Sequence, residues 1–311
     1  MIDYTKQRHN DALFDCSAIP NKRLALPYPA PDGTERSFDL YYPDHGPGPF
    51  PVIVSISGGG WYYGVPSSNH LGQQAYVAVA RGYAFASIAC TSSKDKKFPY
   101  QIQEATGFIR FLRQQAKQLN LDPSFVSFLG ASSGGHLSLM AALTPGQPPF
   151  DQADHPDQAR VNAVAVIYPC CCLGATEEDF QAIGLESAHL RSGPNCMDSI
   201  FLGVPVEEAP ELAQYASPIT HIHPDAPPVF LLHGTADTTI PYTDSLRFAS
   251  RYEEIAGANQ IEAHFLPGAG HSDPVFKDRT MCHKILNFFD RVRNEQPQLD
   301  SERRQTAQYD L

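Results

Sequence analysis

Short apolar runs alternate with longer segments of helical periodicity along most of the chain, and that alternation leaves few architectures open. Val52-Ile53-Val54-Ser55-Ile56 and Tyr83-Ala84-Phe85-Ala86-Ser87-Ile88 are almost continuously apolar, as strands covered on both faces are. Residues 36–42 instead alternate polar with apolar, the mark of a half-exposed strand. Between 99 and 119, Ile102, Ala105, Ile109, Leu112, Ala116 and Leu119 fall on one helical face. Further strands are expected at 125–129, 163–168, 229–232 and 261–266, with helices over 137–143, 245–255 and 275–292. Such an order predicts an α/β fold: a mainly parallel central sheet with helices on both faces.

One stretch breaks the rhythm. Residues 170–228 carry short helical pieces, several Pro and Gly, and no obvious strand. We therefore expect one α/β domain over 1–293, with 170–228 as a small lid-like insertion above the sheet. Residues 294–311, rich in Gln, Glu and Arg, form a polar tail with too few apolar anchors to pack by itself.

Charge narrows the partners. With 34 acidic against 23 basic residues the formal charge is −11, which repels phosphate backbones and anionic lipid surfaces. Nucleic acid is not an expected partner. No apolar run approaches the roughly 18 residues of a membrane span, and Met1-Ile2-Asp3-Tyr4-Thr5-Lys6-Gln7-Arg8 lacks the apolar core of a secretory signal, so a cytoplasmic location is expected. Seven cysteines are an odd number, and without an export signal the reduced state is expected. Adjacent Cys170-Cys171-Cys172 lack the spacing of a zinc site, and nothing completes His221-Ile222-His223. No metal is expected.

Chemistry concentrates in Gly130-Ala131-Ser132-Ser133-Gly134, which matches G-x-S-x-G directly after one expected strand and before a helical segment. That context is a nucleophile elbow, whose tight turn needs small residues two before and two after the serine. The alternative is a Gly/Ser turn that merely starts a helix. A serine hydroxyl needs a base within hydrogen-bond reach, oriented by a carboxylate. His271 sits in Gly268-Ala269-Gly270-His271, just past the strand ending near Leu266, and Asp237 follows His233-Gly234-Thr235-Ala236 beyond another strand. The order Ser132, Asp237, His271 is that of the triad on the elbow-bearing fold. Asp244 and Asp273 are rival acids: Asp244 falls inside the next helix, and Asp273 neighbours the histidine too closely to orient it from another strand. His136, one turn beyond Ser132, is expected to support the site rather than act as its base.

Ser57-Gly58-Gly59-Gly60-Trp61 follows the strand at 52–56. An oxyanion formed in acyl transfer needs fixed N–H donors, and Ser133, next after the nucleophile, supplies one. Glycines let a backbone approach a substrate closely, so this loop is the candidate second source. A dinucleotide loop fails because Tyr63 stands where G-x-G-x-x-G needs its third glycine.

From about residue 22 to 293 the chain resembles the α/β-hydrolase esterases grouped with hormone-sensitive lipase, and within them the bifunctional feruloyl/acetyl-xylan esterase-like branch. The resemblance rests on the glycine loop with Trp61 and Gly64, on Phe98-Pro99-Tyr100-Gln101-Ile102, and on the elbow with Gly135-His136-Leu137. It continues in Ser217-Pro218-Ile219-Thr220 and in the segments around Asp237 and His271. It implies Ser132 as nucleophile, His271 as base, Asp237 as its partner, and the N–H groups of Gly59, Gly60 and Ser133 as oxyanion donors, without a cofactor. Two departures stand out. Ser57 replaces the histidine usual before the glycines, which should alter loop support rather than remove activity, and Cys170-Cys171-Cys172 bears on the shape of the pocket.

The expected function is a serine carboxylic-ester hydrolase acting through an acyl-enzyme on short-chain, acetyl or aryl esters, with sugar esters included. Its partner is then a small-molecule ester. Trp61, Tyr62, Tyr168, Cys170 and Ile240 are the expected substrate-binding residues, with Tyr63 beside them at the entrance. Amide or peptide hydrolysis, a formamidase among them, uses the same triad. A hydrolase-fold binding protein with a dead site is the alternative outside enzymology. The oligomeric state stays open.

Overall fold

The computed structural model describes residues 14–64, 71–151 and 156–309. Among them, eight strands form one sheet: β1 (Lys22–Pro29), β2 (Glu35–Tyr41), β3 (Phe50–Ile56), β4 (Ala84–Ile88), β5 (Leu121–Ala131), β6 (Ala163–Ile167), β7 (Val229–Gly234) and β8 (Ile261–Leu266). Their order is β1-β2-β4-β3-β5-β6-β7-β8. The pairings of β2 with β1 and β4 are antiparallel and the remaining five are parallel. The helices are α1 (Gly72–Ala80), α2 (Tyr100–Gln114), α3 (Ser133–Leu143), the short α4 (Glu177–Gln181), α5 (Met197–Leu202) and α6 (Pro210–Tyr215), then α7 (Tyr242–Ala256) and α8 (Arg279–Tyr309).

Strand side chains alternate between two cores. Val52, Val54 and Ile56 of β3, with Val229 and Leu231 of β7, pack on the side of α2, α3 and α7. Ile53, Phe230 and Leu232 pack on the side of α1 and α8. Both faces being covered is why these strands read as continuous apolar runs. Every residue of α3 is buried, and its small side chains let it lie directly against the sheet.

Some elements depart from expectation. No clear strand pattern marks β1, because Pro27 and Pro29 interrupt it and Leu24 is 49% exposed; prolines are tolerated on a sheet edge, where β1 lies. α1 was also not anticipated. α2 ends at Gln114, although Ala116 and Leu119 beyond it stay buried. The last helix continues through the segment read as a tail, to Tyr309. Residues 170–228 add α4, α5 and α6 and no strand of the sheet. No helix among the described residues is long and apolar enough to cross a membrane.

Parallel strands aim their carboxyl ends at one edge. The loops after β3, β5, β6, β7 and β8 therefore meet there, and they carry the candidate residues.

Candidate active site

The elbow is a backbone construction. Ser132 sits between β5 and α3 with φ 55° and ψ −125°, in a region costly for a side-chain-bearing residue. A Cβ on Gly130 would collide with the Gly134 carbonyl and the Ser138 hydroxyl, and one on Gly134 with the Ile56 carbonyl. The Ser132 N–H donates to Ile167 O on β6 at 2.9 Å, and Ser132 O accepts from the His136 N–H at 3.0 Å.

His271 Nε2 lies 3.1 Å from Ser132 Oγ, and His271 Nδ1 lies 2.7 Å from Asp237 Oδ2. With the Nδ1 proton held by the carboxylate, Nε2 is free to accept from the serine hydroxyl. Asp237 is fully buried and well satisfied: the N–H groups of Thr239 and Ile240 donate to Oδ1 at 2.8 and 2.9 Å. His233 Nε2 approaches Oδ2 at 3.2 Å, while its Nδ1 meets Ser245 Oγ at 2.7 Å. Burial alone raises the Asp237 carboxyl, but the charge and hydrogen bonds of His271 and His233 outweigh it and hold the group well below the usual carboxylate range. The close loop approach depends on Gly234, where a Cβ would strike the Ala269 carbonyl, and the Ala236 N–H donates to that carbonyl at 2.9 Å.

The rival acids are engaged elsewhere. Asp244 Oδ1 accepts from Arg247 Nη2 at 2.5 Å, and Asp273 Oδ1 accepts from the Val275 N–H at 2.9 Å.

The glycine loop lies beside the elbow with Gly59, Gly60 and Trp61 at φ 139°, 60° and 60°. A Cβ on Gly59 would collide with the Tyr63 carbonyl, and Gly59 O accepts the N–H groups of Tyr62 and Tyr63 at 3.1 and 3.0 Å. No backbone carbonyl among the described residues takes the Gly59 or Gly60 N–H. Ser133 opens α3, so its N–H is one of the donors a helix leaves unpaired at its start.

Ser57 does not brace this loop: its Oγ is buried and has no hydrogen-bond partner among the described residues. The brace runs through Trp61 instead. Trp61 Nε1 donates to His136 Nδ1 at 3.0 Å, His136 Nε2 donates to Ala216 O at 2.8 Å, and the indole stacks on Phe201 at 4.6 Å. Burial pushes His136 down to about 4, which keeps Nδ1 an acceptor. No local pattern names a partner for His136; the signal that the sequence carries is a tryptophan in the glycine loop together with a histidine one turn past the elbow.

A narrow pocket at Ser132 leaves about 20 Å3 of space for the centre of a water-sized group. Gly60, Ser133, Trp61, Cys170 and Ile240 line it. Tyr62 and Tyr168 lie outside this wall. The Lys94 ammonium sits 4.1 Å over the Tyr62 ring, and Tyr168 packs behind His271 at 4.5 Å and against Phe276 at 4.9 Å. Cys170, Cys171 and Cys172 are free thiols, and burial pushes Cys172 up to about 12, away from nucleophilic thiolate. Among the described residues no group of three or more His, Cys, Asp or Glu gathers as metal ligands would, and His221 Nε2 donates to Tyr215 O.

The chain as a whole has known relatives. The chain is 30% identical to Esterase LipQ of Mycobacterium tuberculosis over 81% of its own length and 59% of that protein. It is 27% identical to Esterase LipC of the same organism over 82% of its length and 61% of that protein. The chain thus spans about six-tenths of these relatives. A truncated form of a carbohydrate esterase from gut microbiota superposes with a TM-score of 0.74 at 24% identity, covering 92% of this chain and 99% of that one. The thermophilic esterase Est2 of Thermogutta terrifontis superposes with a TM-score of 0.64 at 25% identity, covering 87% and 92%. The fold is the α/β-hydrolase fold. Residues 38–252 match the BD-FAE family model, and the chain belongs to that family of α/β-hydrolases.

Proposed function

We propose that the chain is a serine carboxylic-ester hydrolase acting through an acyl-enzyme on esters of short acyl groups. The observation that carries this reading is the continuous line Ser132–His271–Asp237, with contacts of 3.1 and 2.7 Å. The esterase names of the relatives support the same chemistry.

In this mechanism Ser132 Oγ attacks the ester carbonyl while His271 Nε2 takes its proton, and buried Asp237 steadies the imidazolium that forms. The carbonyl oxygen, now an oxyanion, turns to the N–H groups of Gly59, Gly60 and Ser133. His271 returns the proton to the departing alcohol. Water, activated by the same imidazole, attacks the acyl-enzyme and releases the acid and Ser132. The narrow space at Ser132 favours an acetyl-sized group over a long chain. Residues 170–228 act as the lid-like wall, through Cys170 and Arg191.

The test is turnover of p-nitrophenyl acetate, with labelling by a fluorophosphonate. Ser132→Ala should lower kcat by about 10^4-fold or more and abolish labelling. Retained turnover in that variant removes Ser132 as nucleophile. Faster turnover of matched amides than of esters assigns the site to amide hydrolysis instead.

A further inference from the structure

The pocket at Ser132 has a polar side that the proposed hydrolysis does not use. Asp244, in the first turn of α7, lines it and is 0% exposed. One carboxylate oxygen, Oδ1, bonds Arg247 Nη2 at 2.5 Å; the other, Oδ2, has no hydrogen-bond partner among the described residues. Leaving a buried carboxylate oxygen unpaired is costly, and a site that keeps one beside a candidate nucleophile is shaped for a ligand that pairs it. Arg191, from the 170–228 insertion, lines the same pocket. Among the described residues its guanidinium makes long hydrogen bonds, to Leu190 O at 3.2 Å and Thr239 O at 3.3 Å, so it keeps donors to spare.

We infer that this side of the pocket binds a hydroxyl group of the substrate, which donates to Asp244 Oδ2 and accepts from Arg191. The word substrate rests on the hydrolase reading above. A hydroxyl both donates and accepts from one small, neutral atom. An ammonium would face the Arg191 guanidinium, and a carboxylate would face Asp244 and Asp198, which also lines the pocket. An alkyl group would bury both polar residues unpaired. Burial also pushes the Asp244 carboxyl up to about 7, so near neutrality it both accepts and donates, and a hydroxyl answers either form.

Two matched ester pairs test the site: 2,3-dihydroxypropyl acetate against propyl acetate, and ethyl glycolate against ethyl acetate. The wild-type protein should prefer the hydroxyl-bearing member of one pair by about ten-fold or more in kcat/KM, and the pair that responds tells whether the hydroxyl belongs to the alcohol or the acyl part. Asp244→Leu and Arg191→Met should each bring that preference to within about two-fold. Because Asp244 is buried, its variant can fail to fold; Arg191 is only half-buried and provides the independent reading. No preference in either pair, a preference untouched by both variants, or a stronger preference for 2-aminoethyl acetate overturns the inference. If no ester is turned over, the hydrolase reading is what has failed. The site is then read by equilibrium binding of the same pairs to the wild-type protein, and equal affinities within both overturn it.

Discussion

Two loops meet at the carboxyl edge of the sheet and are held by different means. The elbow at 130–134 is locked by backbone crowding: Gly130 and Gly134 leave no room for a Cβ, and Ser132 is pinned to β6 by its own N–H. The glycine loop at 57–60 is held by side chains far away in sequence, through Trp61 to His136 and from His136 to Ala216. Local sterics admit one arrangement. A side-chain brace can be rebuilt from other residues, and this chain, with the Ser57 hydroxyl unpartnered among the described residues, places its brace at Trp61.

The sharpest contrast would come from breaking the elbow itself. Gly134→Ala drives a methyl into the fixed Ile56 carbonyl. It should cost about 3 kcal/mol or more of stability by denaturant unfolding, with activity lost alongside. Retained stability would show that the elbow can shift and that the contrast is wrong.

Weakening the brace should act on rate more than on fold. Trp61→Phe leaves His136 Nδ1 buried without its donor, costing about 1–3 kcal/mol, and should lower kcat about ten-fold with KM changed less. A His136→Phe change on top of it should add little further loss, since the two act as one unit. Additive losses, or a change in KM alone, would separate the brace from the proposed oxyanion donors.

Titration distinguishes the two sides of the site by opposite slopes. His136 faces Trp61, Ala216 O and His221. Unfolded, it protonates near 6.5, and folded only near 4. The unfolded state therefore binds the extra proton between those values, and stability falls as pH drops through that window. Asp244 faces Arg247, Asp179 and Asp198; it is held near 7 when folded against 3.8 when free. Here the folded state keeps the proton, so stability falls as pH rises through that window. His136→Gln should flatten the first slope and Asp244→Asn the second, as read from urea midpoints between pH 4 and 7. Unchanged slopes in both variants would show that other groups set the pH dependence.

The smallest effect is expected at Ser57. Ser57→Ala should change stability by no more than about 0.5 kcal/mol and turnover by less than about two-fold, because its hydroxyl pairs with nothing among the described residues. A large loss of turnover would return the brace to the position preceding the glycines.

Much of this architecture was legible from the chain because it rests on patterns with a local cause. Central strands buried on two faces appear as continuous apolar runs, and the elbow as two glycines spaced around a serine. β1 escaped because its prolines and exposed Leu24 suit an edge that sequence does not reveal. Tyr62 and Tyr168 were expected in the pocket wall, yet one turns to Lys94 and the other backs His271; direction of a side chain from a loop is not written in its neighbours.

By itself the sequence determined the strand–helix alternation, the elbow, and the order in which Ser132, Asp237 and His271 follow their strands, since each depends on residues adjacent in the chain. Only the tertiary structure decided that Asp237 and not Asp244 meets His271, that His136 ties Trp61 to Ala216, and that Asp244 Oδ2, in the pocket that Ser132 lines, has no partner among the described residues. Those outcomes are set by burial and by hydrogen bonds between segments as much as 80 residues apart, whose directions no local pattern carries.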